Sequence, residues 1–146
     1  MQKTVPEVIE RVMAHLPNAL DPTLVILKGH LLIEEELNAA IADRVKDSKY
    51  LEDARLRFDQ LLSIAKALYF KQDQAWVWDG IKKLNSLRNL LAHQLEPPNL
   101  KAKSDELLDH VEKKMGLLPG SKPVRFRGAI AMLAAQILIY REMHEA

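Results

Sequence analysis

Three polar side chains interrupt a leucine-rich segment, SLRNLLAHQL, that runs from Ser86 to Leu95. Together, Arg88, Asn89 and His93 could act on a phosphodiester. An arginine presents a permanent, planar cation that fits a phosphate group. A histidine titrates near neutral pH and can serve as a general acid or base, and an asparagine can orient either group. RNA supplies its own nucleophile, the 2′-hydroxyl, so such a set could cut RNA without a metal ion.

Arg88 occupies an unusual place on the helix that this segment predicts. At about 100° per residue, it falls at the centre of the apolar side. That side is formed by Val77, Ile81, Leu84, Leu91 and Leu95. Burying an arginine without a partner is costly, so we expect a carboxylate to meet it. Arg88 and His93 are about 140° apart around an ideal helix. They reach one site only if it wraps around the helix edge, if the helix bends, or if a second subunit completes it. We expect a two-fold symmetric homodimer whose interface involves the second and fourth predicted helices.

The candidate carboxylate lies on another predicted helix, which begins at Asp21-Pro22 and runs to about Asp47. Its apolar side is predicted from Leu27, Leu31, Leu37, Ile41 and Val45, and its polar side from Lys28, Glu35, Glu36 and Asp43. His30 and Glu34 fall near the middle of the apolar side, four residues apart and therefore stacked on each other. The ordinary interpretation is that His30 is a core histidine and that Glu34 sits where the helix end meets solvent. Two such residues at adjacent positions weaken this interpretation. We expect Glu34 to contact Arg88, with His30 in support.

The remaining pattern predicts helices and neither strands nor repeats. The first predicted helix begins at a capping box, Thr4–Glu7, and the second begins at Asp21. The other four are predicted to span about Leu51 to Phe70, Asp73 to before Pro97, a cap at Ser104 to Gly116, and about Pro123 to Met143. The predicted fold is an all-α, up-down bundle of five to six helices. The second and fourth helices should pack together, and the loop 96–103 should be exposed.

Composition restricts the setting of this chemistry. The 146 residues suit one domain, 1–146, with a core of its own. The cysteine count of 0 excludes disulfides and thiolate metal sites. The sequence shows neither a signal peptide nor a membrane-spanning run, so a cytoplasmic protein is expected. Net charge is +1, yet residues 61–146 hold 13 basic and 9 acidic side chains. A nucleic-acid site would therefore be small and local. His15, His110 and His144 are predicted to be surface histidines.

The run Arg88-Asn89-Leu90-Leu91-Ala92-His93 resembles the Arg-x4-to-6-His signature of the HEPN superfamily, in which a polar residue often follows the arginine. The helix order resembles that family as well, including the polar-interrupted segment GHLLIEEELNAAI before the motif helix. The resemblance implies a small all-α bundle that dimerises so that two motifs face each other. It also implies a metal-independent endoribonuclease, either the toxin of a toxin–antitoxin pair or a phage-defence effector.

This resemblance assigns Arg88, His93 and Asn89 as catalytic residues and RNA as the substrate. It requires neither cofactor nor metal, and it implies an antitoxin protein as a partner, with no role for DNA or a membrane. In HEPN toxins that a nucleotidyltransferase antitoxin modifies, a tyrosine stands two residues after the histidine, whereas Leu95 stands here. Two alternatives remain open. One is a HEPN-like helical regulator or binding module without catalysis, and the other is a dimerisation protein with an accidental motif.

Overall fold

The chain is helical wherever its structure is described. A computed structural model describes residues 4–16 and 21–143, and within them there are seven α-helices, one short 3-10 turn at Gln72–Gln74, and no β-strand. The helices are α1 Val5–His15, α2 Pro22–Ala42, α3 Ser48–Asp53, α4 Phe58–Tyr69, α5 Ala75–His93, α6 Leu100–Met115 and α7 Lys122–Met143. The all-α prediction is confirmed for this part of the chain.

Local side-chain chemistry begins the first two helices where the sequence predicts. The Oγ1 of Thr4 accepts from the backbone N of Glu7 at 3.3 Å, and the Thr4 N donates to the Glu7 carboxylate at 2.7 Å. Asp21 caps α2 by accepting from the Thr23 N at 2.9 Å. Each cap satisfies amide groups that the first turn of a helix cannot pair internally.

The predicted third helix is divided in two, which raises the helix count to seven. Between α3 and α4 the backbone of Arg55 adopts a φ of 49°, in the left-handed region that a continuous helix excludes. A new start follows, where the N–H of Arg57 donates to the Gln60 side chain at 2.9 Å. Periodicity alone did not reveal this break. Periodicity also placed the end of α2 too late, at about Asp47, whereas the helix ends at Ala42.

The segment 96–103 is only in part the exposed loop that was predicted: most of its residues are exposed, but the loop ends where a helix begins at Leu100. Here α6 begins at Leu100, one turn before the expected cap Ser104, whose hydroxyl is buried and donates to the Leu100 carbonyl at 2.7 Å. Pro97 is buried as well. Together with the first turns of α2 and α7, these residues enclose a mainly apolar cavity of about 540 Å³. Helix α5 ends at His93, before the two prolines, as expected, but the chain then packs back onto the bundle.

Helix α2 lies at the centre of the structure and contacts α1, α4, α5 and α7. Helix α2 packs against α5, which is the predicted fourth helix, so the predicted packing of the second and fourth helices is confirmed. Gly29 permits a close approach to α7, because a Cβ there would lie 2.8 Å from Cγ2 of Ile130. The buried side of α2 matches the predicted one only in part: Leu37 and Ile41 are buried, whereas Leu27 and Leu31 are 41% and 58% exposed. Val45 lies beyond the end of the helix and is also exposed.

Glu36 was predicted on the solvent side of α2 but is buried. Its carboxylate lies 3.5 Å from a guanidinium nitrogen of Arg11 on α1 and 3.6 Å from one of Arg141 on α7. Arg141 also binds Asp43, through Nε, at 2.6 Å. A helix that contacts several neighbours buries a wide arc, and a carboxylate within that arc is tolerated when cations meet it. The periodicity of a single helix could not indicate those partners.

Candidate functional site

Arg88 is exposed, which corrects the prediction of a buried guanidinium. It does lie on the core side of α5, since it follows the buried Ile81 by seven residues, or about two turns. The buried positions of α5, however, end at Leu87. At the level of Arg88 the neighbouring helices leave a cavity instead of closing around the side chain, so the angular prediction was right and the inferred burial was wrong.

This polar cavity has a volume of about 540 Å³ and is built from three helices. Its lining residues are His30 and Glu34 from α2, Arg57, Phe58 and Asp59 from the start of α4, and Asn85, Arg88 and Asn89 from α5. Four of the five sequence-predicted site residues, all except His93, therefore line one cavity. Such a volume is typical of ligand pockets, and seven of the eight lining residues carry polar side chains.

His30 is the buried polar group of the cavity, with 6% of its surface exposed. Its Nε2 lies 3.0 Å from Oδ1 of Asn85 on α5. A carboxamide oxygen only accepts hydrogen bonds, so in this orientation of the Asn85 amide Nε2 is the donor and Nδ1 keeps the lone pair. The imidazole also stacks on the ring of Phe58, with 3.9 Å between the centroids and 28° between the planes. One hydrogen bond and one stacking contact therefore fix both the tautomer and the plane of the ring.

The surroundings of His30 favour its neutral form. Burial lowers the pKa of this imidazole below the usual value for histidine, and the nearby Arg88 guanidinium acts in the same direction. The Asn85 hydrogen bond and the Glu34 carboxylate oppose the shift, but they do not overcome it. Since removal from water disfavours the charged form, the lowered pKa favours the unprotonated form of His30 at neutral pH.

The two cations of the cavity differ in their pairing. Arg57 binds the Asp59 carboxylate through Nε at 3.2 Å, in an exposed pair. Arg88 has no ion-pair or hydrogen-bond partner within the described chain, and neither do the side chains of Glu34 and Asn89. Glu34 and Arg88 share the cavity without pairing, so the predicted contact is not formed within one chain. An unpaired guanidinium at a cavity wall is available for an anion.

His93 does not line this cavity. It is the last residue of α5 and is exposed. Its offset of about 140° from Arg88 therefore separates the two motif residues within one chain. Leu95, predicted on the same apolar side as Arg88, lies past the helix end and is fully exposed.

Sequence reasoning missed the contribution of α4, namely Arg57, Phe58 and Asp59. It treated this segment as the middle of a longer helix, where Arg57 and Asp59 would be ordinary solvent-facing charges. A signal was present in Gln60, which stands three residues after Arg57 as in a capping arrangement. Once α4 begins at Phe58, its first turn lies beside His30.

Two of the remaining histidines are described. His15 is exposed, as predicted. His110 is half-buried and its Nε2 lies 2.8 Å from the Trp76 carbonyl, so it is a structural link between α6 and α5 and not a surface residue. The side chain of Trp76 is partly buried and packs against the hydrophobic core. His144 lies outside the described residues.

No protein-family model, curated protein sequence or solved structure matches this chain. Over residues 4–16 and 21–143, no helix is long and apolar enough to cross a bilayer.

Proposed function

We propose that this protein is a HEPN-like, metal-independent endoribonuclease that uses the 2′-hydroxyl of its substrate as nucleophile. One observation supports this most directly. The unpaired guanidinium of Arg88 and the buried, neutral imidazole of His30 line the same polar cavity. A phosphate-binding cation beside a proton-accepting base is the pair of groups that transesterification of RNA requires.

In this reaction Arg88 binds the scissile phosphate and stabilises the negative charge that builds on its non-bridging oxygens. Asn89, one residue on and without a partner of its own, donates to a phosphate oxygen or to the ribose. The 2′-oxygen forms a bond to phosphorus as the bond to the 5′-oxygen breaks. The products are a 2′,3′-cyclic phosphate and a 5′-hydroxyl, and DNA is not cut because it lacks the nucleophile.

His93 is retained in the proposal as the residue that protonates the leaving 5′-oxygen. Because it lies outside the cavity of its own chain, it acts across a homodimer or on substrate that extends along α5. A surface suited to a second copy is present on α2, where Leu24, Leu27 and Leu31 are exposed at helical spacing. These leucines share α2 with His30 and Glu34, so a copy seated on them would lie beside the cavity.

The proposed biological role is that of a toxin controlled by an antitoxin protein or of a phage-defence effector, as the HEPN resemblance implies. The purified protein should be incubated with a mixed RNA pool and with single-stranded DNA of the same sequences, in buffer containing EDTA. Cleavage of RNA alone, leaving cyclic phosphate ends, supports the proposal. RNA that stays intact in every condition refutes it.

A non-catalytic HEPN-like binding module is the second candidate. It is favoured by the charge balance of the cavity, in which Arg57 and Arg88 are offset by Glu34 and Asp59. A strongly basic cleft would bind RNA more tightly. RNA binding without cleavage, measured by fluorescence anisotropy at low salt, would favour this module over the nuclease.

A further inference from the structure

Among the described histidines, His30 alone is buried, and it is the one that lines the polar cavity. We propose that Nδ1 of His30 is the proton acceptor for the 2′-hydroxyl, so that the base and the phosphate-binding arginine of the nuclease belong to one chain and one cavity. This inference rests on the proposed function, and it assigns the base to a residue outside the Arg-x4-His motif.

The hydrogen bond to Asn85 determines which nitrogen of His30 can act as a base. Because Nε2 donates to Oδ1 of Asn85 at 3.0 Å, the ring can accept a proton only at Nδ1. No described group makes a hydrogen bond with that nitrogen. A histidine that served only to fill the core would not need a fixed tautomer, a lone pair without a donor and a place at a cavity wall.

The second step concerns the ring plane. Phe58 stacks under the imidazole at 3.9 Å, and Asn85 holds its far edge. Both contacts come from other helices, α4 and α5, which also supply Arg57 and Arg88 to the cavity. The same packing that orients the base therefore sets its position relative to the phosphate-binding side chains, as preorganised catalysis requires.

The 2′-hydroxyl gives its proton to Nδ1 of His30, and its oxygen forms a bond to phosphorus. The bond from phosphorus to the 5′-oxygen breaks, and that oxygen takes a proton from the His93 imidazolium. His30 ends as an imidazolium and His93 as a neutral imidazole, and exchange with water restores both. Burial lowers the pKa of His30, which keeps the base ready to accept at neutral pH.

The first experiment uses His30→Gln in the full chain. The Gln amide can still donate to Oδ1 of Asn85 but offers no base at the position of Nδ1. Cleavage by this variant should fall by about 10²–10⁴-fold, while circular dichroism and binding of RNA stay close to wild type. Asn38→Ala is the matched control: Asn38 is exposed on the same helix and lies outside the cavity, and its cleavage rate should be unchanged.

The second experiment keeps the imidazole and changes its partner. In Asn85→Asp, a carboxylate replaces the carboxamide oxygen, preserves the tautomer and favours protonated His30. The rising, low-pH limb of the cleavage profile should move by about one pH unit or more to higher pH. Asn89→Asp adds the same charge to the cavity without a hydrogen bond to His30 and should move that limb much less.

The outcomes separate the two proposals. Wild-type protein that cuts no RNA overturns the nuclease and the base assignment together. Wild-type protein that cuts RNA, with His30→Gln within about threefold of its rate or with a low-pH limb that Asn85→Asp leaves in place, overturns the assignment of His30 and keeps the nuclease. If His30→Gln does not fold, the assignment of His30 is tested by Asn85→Asp alone, through the pH at which the low-pH limb of its cleavage profile rises.

Discussion

Nε2 of His30 on α2 and Oδ1 of Asn85 on α5 lie 3.0 Å apart, 55 residues apart in the chain. This hydrogen bond joins the two helices that the sequence marks as irregular, since each carries polar groups on its apolar side. It also fixes which imidazole nitrogen is a base. The bond thus connects the packing of the bundle to the chemistry proposed for the cavity.

The first prediction follows from that hydrogen bond. Long-range ¹H–¹⁵N spectra should show His30 protonated at Nε2 and unprotonated at Nδ1 at neutral pH. Titration should place its pKa below that of a free histidine, because burial disfavours the imidazolium. Asn85→Ala should leave the two tautomers mixed. A pKa at or above the ordinary value, near 6.5, would contradict this account.

The second prediction concerns the stability of the fold as the pH falls. A histidine with a lowered pKa in the folded state stabilises the fold above its unfolded pKa, about 6.5, and that contribution is lost as the pH falls through the folded pKa. The unfolded chain takes up the proton first, so acid favours unfolding. Urea melts of wild type and His30→Gln should therefore converge below about pH 6.5. A constant difference between pH 8 and pH 5 would show that the pKa is not lowered.

The third prediction tests the close contact of α2 with α7 beside His30. In Gly29→Ala the new Cβ would lie 2.8 Å from Cγ2 of Ile130. Shifting a β-branched core residue should lower the free energy of unfolding by about 1–3 kcal/mol. Gly128→Ala on α7 is the control, because its Cβ would meet Cδ1 of Leu118 at an ordinary 3.6 Å. That variant should gain up to about 1 kcal/mol from helix propensity, and equal melts for both variants would contradict the packing argument.

The sequence predicted the helical class, both capped starts and the packing of the second helix on the motif helix, because caps and periodicity are local signals. It also selected His30, Glu34, Arg88 and Asn89, which line one cavity. His30, Glu34 and Arg88 were found as polar residues on the apolar side of a helix, and Asn89 as the polar residue that follows Arg88 in the motif. A polar residue on the apolar side of a helix can be recognised from the sequence of that helix alone.

Other features depended on more than one helix and were not predicted. The break at Arg55 placed α4 beside His30, and Glu36 is buried because α1 and α7 each bring an arginine to it. Leu27 and Leu31 are as apolar as the true core positions, so only the arrangement of neighbours shows that they are exposed. Arg88 lies on the core side of α5 but lines a cavity and is exposed. No pattern in α5 indicates the residue after which neighbouring helices no longer cover that side.

The fourth prediction addresses assembly. If a second copy covers the exposed leucines of α2, the wild-type protein should be a dimer by light scattering at tens of micromolar. Leu27→Glu together with Leu31→Glu should then give a folded monomer, because two buried carboxylates without partners oppose association. The control is Leu117→Glu, which changes an exposed leucine outside the helices. A wild-type monomer would remove the proposed role of the partner in bringing His93 to the cavity.

The last prediction compares the motif residues by their expected effects on RNA cleavage. Arg88→Ala removes the unpaired cation of the cavity and should weaken both RNA binding and cleavage, while Arg88→Lys should restore part of the binding but not the two-point contact with phosphate. His93→Ala removes the proposed proton donor and should slow cleavage by about 10²–10⁴-fold without weakening binding.

Asn89→Ala should be milder, because Asn89 positions the phosphate and carries no proton or charge in the step. The side chains of Arg88, Asn89 and His93 are exposed and make no hydrogen bond or ion pair with a described residue, so the variants should remain folded. Single-turnover cleavage and anisotropy titrations in EDTA measure the two effects separately. A His93→Ala protein that cuts at the full rate would exclude the motif histidine from the reaction. An Arg88→Ala protein with full binding would show that the phosphate lies elsewhere.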